Sequence, residues 1–518
     1  MRSSKISNLL INWRKCFEDE KYEGLTKEEE IGLFGELTFL NKAISLTSLK
    51  NMVAEFQNHL IRHGYITSVI YPKADQNLKA GHLNLILEPG LVIQVLEPSA
   101  QESIPFKYAM YAFGFYQNTV LHLPSLEQAL DNLNRLPGAN YRFELAPTSK
   151  NGAFGSDVMI ISMLQNPLFL KVSMSYNKDI KNELSLYPHQ FQLAKGNILG
   201  LLDVWNLSYS QLNREFGQNQ HSAYLDVSVP FLFLKPYIQV SQFEHNSFFD
   251  SAVFRFDSTG KSQKTVYGLE WCFSRSYQLK QSLQGSYYTE NQTAYIQDIK
   301  NDVGSYELFV ASLQYRLQLY KALGGSWLAS VTYKKGIGAR DDNNTSRDAQ
   351  NREPQNRFDV FVYDVSWFYT PTFLKRLWRF EGSFRAQSSN RALYSSEQIG
   401  ISGYYAIRGI TSSLIGDSGY VTNQTMSTDI TKEVSFFPFK ARQRTWDAFF
   451  GFDYGSFSQT GGAFLDGSGQ GEAMSTSIGL RMKQQDLYLE LLVSKPFRTA
   501  AYRADEKGYV SWKVQWFF

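Results

Sequence analysis

The sequence predicts a membrane all-β barrel of about sixteen antiparallel strands, preceded by two small α+β modules. Beyond Pro167, apolar residues recur at alternate positions in segments of about ten residues, with turn-rich connections between them. Aromatic residues make up 15% of the 518-residue chain, with 31 Tyr and 38 Phe, which suits the girdles of such barrels. The last strand-like run ends on an aromatic, Phe518. A soluble sandwich also alternates, but strand length, aromatic content and this terminal residue together favour the membrane barrel.

Composition narrows the function classes. The net charge of +3 gives no sign of a nucleic-acid binder. No run of about eighteen apolar residues predicts a transmembrane helix, an absence that a barrel shares. The two cysteines, Cys16 and Cys272, are far apart and form neither a metal spacing nor a disulfide framework. No cluster of His, Asp, Glu and Cys suggests catalysis, so neither an enzyme nor a cofactor is expected.

The start of the chain lacks a signal-peptide pattern. Ile6, Leu9, Leu10 and Trp13 have the spacing of a short amphipathic helix, within an N-terminal segment of residues 1–15. The first module is expected over 16–98. It contains a polar first strand at Phe17 to Gly24, a short helix, and an amphipathic helix with Leu49, Met52, Val53, Phe56 and Leu60 on one face. Arg62-His63-Gly64 stops that helix with a basic last turn and a glycine. Strands follow at Tyr65 to Tyr71 and His82 to Leu87. The second module, 99–166, repeats this order. Ser125 and Gln128 have capping-box spacing, Leu126, Ala129, Leu130 and Leu133 form a buried face, and Leu136-Pro137-Gly138 stops the helix. Strands are expected at Tyr141 to Leu145 and Asp157 to Met163. Exposed edges in such modules can pair with an extended client.

The barrel is assigned to 167–518, where about twenty residues per strand and connection give about sixteen strands. The tight turn at Gln484 to Asp486 and the long connections Gly338 to Asn356 and Phe497 to Gly508 set a direction, because such barrels have short periplasmic turns and long outer loops. Counted back from the C-terminus, the segment at about 391–420 begins on the outer side and folds into the lumen. At its centre lies Ile407-Arg408-Gly409. In the run Ala448 to Gly455, a period of two puts Phe450, Phe452 and Tyr454 on one face and Gly451, Asp453 and Gly455 on the other. A carboxylate facing away from an aromatic stripe needs water or a partner. Arg408 is the proposed partner; the plainer alternative is a solvated aspartate and an exposed loop arginine.

From residue 16 onward the chain resembles the two-partner secretion transporters of the outer membrane (TpsB, haemolysin-activator type) in the BamA-like superfamily. The first module carries Gly64-Tyr65-Ile66-Thr67-Ser68, Tyr71-Pro72 and Leu85-Ile86-Leu87-Glu88-Pro89-Gly90. The second carries the run from Leu126 to Pro137 with Asn134-Arg135, then Gly155-Ser156-Asp157. The barrel carries Gly196 to Leu201 with Asp203, Ser396-Glu397-Gln398, Ile407-Arg408-Gly409 and Gly451-Phe452-Asp453-Tyr454-Gly455. The resemblance implies two periplasmic POTRA modules and a sixteen-stranded barrel in the outer membrane. It implies export of one large exoprotein (TpsA type: haemolysin, adhesin or contact-dependent toxin), captured through its N-terminal secretion domain. It also implies an ion pair between Arg408 and Asp453 that anchors the loop, and client contacts around Leu126, Asn134 and Arg135. Barrel assembly machinery for biogenesis, surrounding lipid and a monomeric state complete the expected partners. The family usually starts with a signal peptide, plug helix and linker. Either Ile6 to Trp13 is a remnant of that plug, or the true start lies upstream. A second cysteine found in some members is absent, which removes any disulfide with Cys16. The alternative function is an outer-membrane assembly factor.

Overall fold

The computed structural model describes residues 4–6, 8–12, 42–44, 46–76, 82–96, 118–150, 153–162, 168–179, 185–214, 219–250, 255–302, 304–322, 324–338, 354–371, 378–410, 414–431, 444–460, 469–484, 486–499 and 509–517. The chain divides into two compact units. One comprises Met1–Pro167 with Asn197–Leu202 and Pro230–Phe233, and the other the remaining residues from Leu168 to Phe518.

The first unit holds two helix-and-sheet modules. In the first, the helix Leu46–Arg62 packs on a sheet whose central strand is His82–Glu88. Leu49, Met52 and Leu60 are buried against Leu83, Leu85 and Leu87, with Val53 and Phe56 partly buried beside them. The helix stops as its glycine demands. Gly64 takes φ +91°, its N–H donates to the Ile61 carbonyl at 3.0 Å, and the Tyr65 N–H donates to the Leu60 carbonyl at 2.9 Å. That cap holds Tyr65 to Ser68 in turns, so the next strand is Val69–Pro72, four residues later than the alternation predicts.

Two boundaries need correction. Asn8–Asn12 is a strand, not the expected amphipathic helix, and pairs in parallel with His82–Glu88. The consecutive Leu9-Leu10-Ile11 fits either period, and pairing to the sheet edge decides. Leu91–Leu96 falls inside the expected first module, yet it pairs in parallel with Ala153–Ser162 in the second module's sheet. The second module therefore begins near Leu91 rather than residue 99. The expected strand Phe17 to Gly24, the following short helix and Cys16 lie outside the described residues.

In the second module the helix runs Leu123–Asn134, with Pro in its first turn and His122 at the N-cap. Ser125 is therefore inside the helix and buried, not its cap. Leu126, Ala129 and Leu133 are buried, as the spacing predicts, and Leu130 is partly so.

The second unit is a closed antiparallel barrel of sixteen spanning strands among the described residues, from Leu168–Asp179 to Tyr509–Phe517. First and last strands pair from Asp179↔Tyr509 to Lys171↔Phe517, so no spanning strand is left with an open edge in hydrocarbon. Faces alternate as read: Trp512, Trp516, Leu491 and Val493 are exposed on the outside, while Glu490, Leu492, Ser511 and Gln515 are buried inside. The fifth to eighth strands run 17, 21, 18 and 17 residues. That exceeds the 9–11 or so that a bilayer requires, so they continue beyond it. Much of the connections at Gly338 to Asn356 and Phe497 to Gly508 falls outside the described residues.

Candidate functional site: a loop anchored inside the barrel

The site lies where the segment after the eleventh strand (Trp378–Ser389) meets the inner face of the thirteenth (Thr445–Ser458). Asp453 sits in the inward phase of that strand, fully buried, and Arg408 is 4% exposed. The guanidinium grips the carboxylate with both of its edge nitrogens. Nε donates to Oδ2 at 2.8 Å and Nη2 to Oδ1 at 2.6 Å, while the Arg408 backbone N–H also donates to Oδ2 at 2.9 Å. Two further guanidinium donors go to the twelfth strand (Ser418–Asp429). Nη1 donates to Thr425 Oγ1 at 3.0 Å and Nη2 to the Gln424 carbonyl at 2.9 Å. Ser475 donates its hydroxyl to Asp453 Oδ2 at 3.2 Å, and Ser494 donates to the Arg408 carbonyl at 2.8 Å. Every charge-bearing atom is thus hydrogen-bonded, the condition under which a buried ion pair fixes geometry. A lysine has one nitrogen and could not bridge both carboxylate oxygens and two wall acceptors.

The motif glycines supply the space. A Cβ on Gly451 would lie 2.3 Å from Arg408 Nη2, and one on Gly455 would lie 3.0 Å from Ile407 Cδ1. Gly409 takes φ +87°, and a Cβ there would meet Ser494 Oγ at 2.6 Å. Ile407 is fully buried with Ile399, Ile401, Ile410, Leu414, Val421 and Phe457. An apolar plug and an ion pair therefore hold the loop tip side by side. Phe452 lies on the opposite face of its strand and packs near Phe497, with ring centroids 6.5 Å apart. It belongs to the outer wall rather than the lumen.

The tip makes a further contact that sequence reasoning missed. Tyr404 donates its hydroxyl to Glu490, which is 4% exposed and also accepts from Arg481 Nε at 2.8 Å and the Tyr488 hydroxyl at 2.5 Å. Glu490 falls in the inward phase of an apolar alternation, and a charge in that phase was the available signal. Beside the loop, Tyr405 is 81% exposed at a cavity of about 730 Å³ whose lining includes Arg316, Asp364 and Arg385.

Each of the three positions expected to contact a client has a place in its module's own structure, and Asn134 is exposed as well. Leu126 is 4% exposed and serves the core of its module. Asn134 staples the helix end to the neighbouring edge strand: its Nδ2 donates to the Tyr141 carbonyl at 3.0 Å, and its Oδ1 accepts from the Tyr141 N–H at 2.6 Å. Arg135 is half-buried at the helix C-cap. Leu126→Ala is expected to destabilise this module by about 2–5 kcal/mol, the usual cost of emptying a buried leucine site. Protease resistance of the module in the membrane-embedded protein, measured against denaturant, checks this.

Comparison with known proteins adds the family. The model for the haemolysin secretion/activation protein ShlB/FhaC/HecB matches residues 155–482. A ShlB-type POTRA domain model matches 36–90, and a second POTRA domain model matches 103–147. The outer membrane transporter CdiB of Dickeya dadantii (strain 3937) is 25% identical over 377 residues, 72% of this chain and 64% of the relative. The hemolysin transporter protein HpmB of Proteus mirabilis is 22% identical over 481 residues, 90% of this chain and 80% of the relative. The chain thus matches a little under two thirds of the length of the first of these. Among solved structures, CdiB from Escherichia coli superposes with a TM-score of 0.84 at 20% identity, covering 100% of this chain and 91% of that one. CdiB from Acinetobacter baumannii gives 0.81 at 17%, with 100% and 90% coverage. These two show the same fold.

Proposed function

Because the chain belongs to the haemolysin secretion/activation protein family ShlB/FhaC/HecB, we propose that it is an outer-membrane transporter of two-partner secretion. Its POTRA modules sit in the periplasm and capture the N-terminal secretion domain of one large exoprotein, which the barrel then exports. It works as a monomer in lipid after insertion by the barrel assembly machinery, and the process involves no catalytic step or cofactor. The single observation that carries this reading is a segment folded back into a closed barrel and fixed there by Arg408 and Asp453. A sixteen-stranded cylinder is wide enough for an aqueous channel. The anchored loop lies in that space, and its fixed position shapes the path left for a passing chain. The strand Tyr141–Lys150 of the second module lies at the edge of its sheet, a place where an extended client can add a strand.

Depletion of the protein tests the reading. The expected result is loss of one large exoprotein from the medium while the other outer-membrane proteins keep their levels. A general fall in outer-membrane proteins would point to an assembly factor instead.

A further inference from the structure

The loop carries a second buried charge, Glu397, whose side chain is wholly enclosed. Oε1 accepts from the Tyr288 hydroxyl at 2.6 Å and from Lys264 Nζ at 3.4 Å, and Oε2 accepts from Lys334 Nζ at 3.0 Å. Lys264 also reaches Glu290 at 3.0 Å and lies 3.8 Å from the centre of the Tyr288 ring. These partners stand on the sixth, seventh and ninth strands (Arg255–Arg275, Leu279–Ile296, Gly325–Gly338), whereas Arg408 binds the twelfth and thirteenth.

The same end of the loop is tied in two further ways. Leu393 and Tyr394 pack with Tyr288, Leu308, Val310 and Phe358, and the Tyr394 ring stacks on Tyr306 with centroids 4.0 Å apart. At the loop's other end, Asp417 Oδ1 accepts from the Leu393 N–H and from Gln398 Nε2, both at 2.9 Å. Asp417 Oδ2 accepts from the Thr460 N–H at 2.7 Å. Gln387 Nε2 bridges the carbonyls of Glu397 (2.8 Å) and Asp417 (3.1 Å). The two feet are therefore joined to each other and to the wall by groups that play no part in the Arg408–Asp453 pair.

We infer that Glu397 is a positioning residue that fixes the feet of the loop on a separate stretch of the barrel wall, independently of the tip, and so sets where Arg408 meets Asp453. The charges explain why one residue can do this. Two ammonium groups face two carboxylates, Glu290 and Glu397. Neutralising Glu397 removes the shared counter-ion of two half-buried ammonium groups, which are then drawn toward water and away from the enclosed amide at the foot. Arg408→Ala removes nothing from this cluster.

The inference concerns loop geometry, and only its last consequence, for secretion, rests on the export reading. Spin labels test it on the purified, detergent-solubilised barrel. One pair joins the foot to the wall (Ser396→Cys with Asn291→Cys) and another joins the tip to the wall (Tyr405→Cys with Asn291→Cys). All three positions are exposed. In the parent protein both distance distributions are expected to be narrow. Arg408→Ala broadens the tip distribution and leaves the foot narrow. E397Q, which keeps the side-chain size, broadens the foot, while the electrophoretic shift between unheated and heated samples shows an intact barrel. Partner secretion by E397Q falls several-fold. A foot that stays narrow in E397Q, or that broadens with the tip in Arg408→Ala, overturns the inference. Unchanged secretion with a released foot overturns the link to export while leaving the transporter reading intact.

Discussion

Arg408→Ala is expected to leave the barrel inserted and to reduce export of the partner by at least about ten-fold. Removing the guanidinium leaves the Asp453 carboxylate buried without its counter-ion, a change that costs about 3–5 kcal/mol where a buried pair is broken. Applied to the balance between the docked and undocked loop, even the lower figure shifts populations by more than about a hundred-fold. The wall strands keep their own backbone ladders, so assembly is spared. Quantifying transporter in the outer membrane and partner in the medium separates the two effects. Arg408→Lys should behave like the alanine variant, since one ammonium cannot replace donors aimed at Asp453, Thr425 and Gln424. Exchanging the two residues should not rescue export, because a carboxylate at position 408 would face the Gln424 carbonyl.

Gly451→Ala is the second large effect, and it is steric. The added methyl would sit 2.3 Å from Arg408 Nη2 and 2.4 Å from Ser477 Oγ. A free arginine tip would swing aside, but this one is held by four side-chain hydrogen bonds. Relief therefore means dissolving the ion pair or distorting the thirteenth strand. Export should fall nearly as far as in Arg408→Ala, although every charge is retained. Combining Gly451→Ala with Arg408→Ala should add little further loss, because the ion pair that the methyl would break is already gone, and Ser477 Oγ, the other close atom, makes no hydrogen bond and can turn aside. Partner in the medium, normalised to folded barrel, checks both statements.

Much of this was legible in the sequence because a strand has a period of two. Alternation located the barrel, and the same alternation put Gly451, Asp453 and Gly455 on the inner face. Periodicity gives a direction, however, and not a partner. Glu397 and Lys264 lie 133 residues apart, and only closure of the cylinder brings them together. Glu490 was likewise visible as an inward charge, yet nothing local names Tyr404 as its donor. The module boundary failed for a related reason. Leu91–Leu96 follows directly on the first module's last strand, and only its parallel pairing with Ala153–Ser162 assigns it to the second. At the N-terminus, three consecutive apolar residues fit a helix face or a strand equally well, and sheet pairing settled it.

A double-mutant cycle on export tests the central claim most directly: partner secretion is measured for the parent, Arg408→Ala, Asp453→Ala and the double variant, each normalised to inserted barrel. If the two side chains act as one anchor for the lumenal loop, the double variant secretes no less than the weaker single variant. Losses that multiply, so that the double variant secretes far less than either single, would mean that the residues act separately and that their ion pair is not what export depends on.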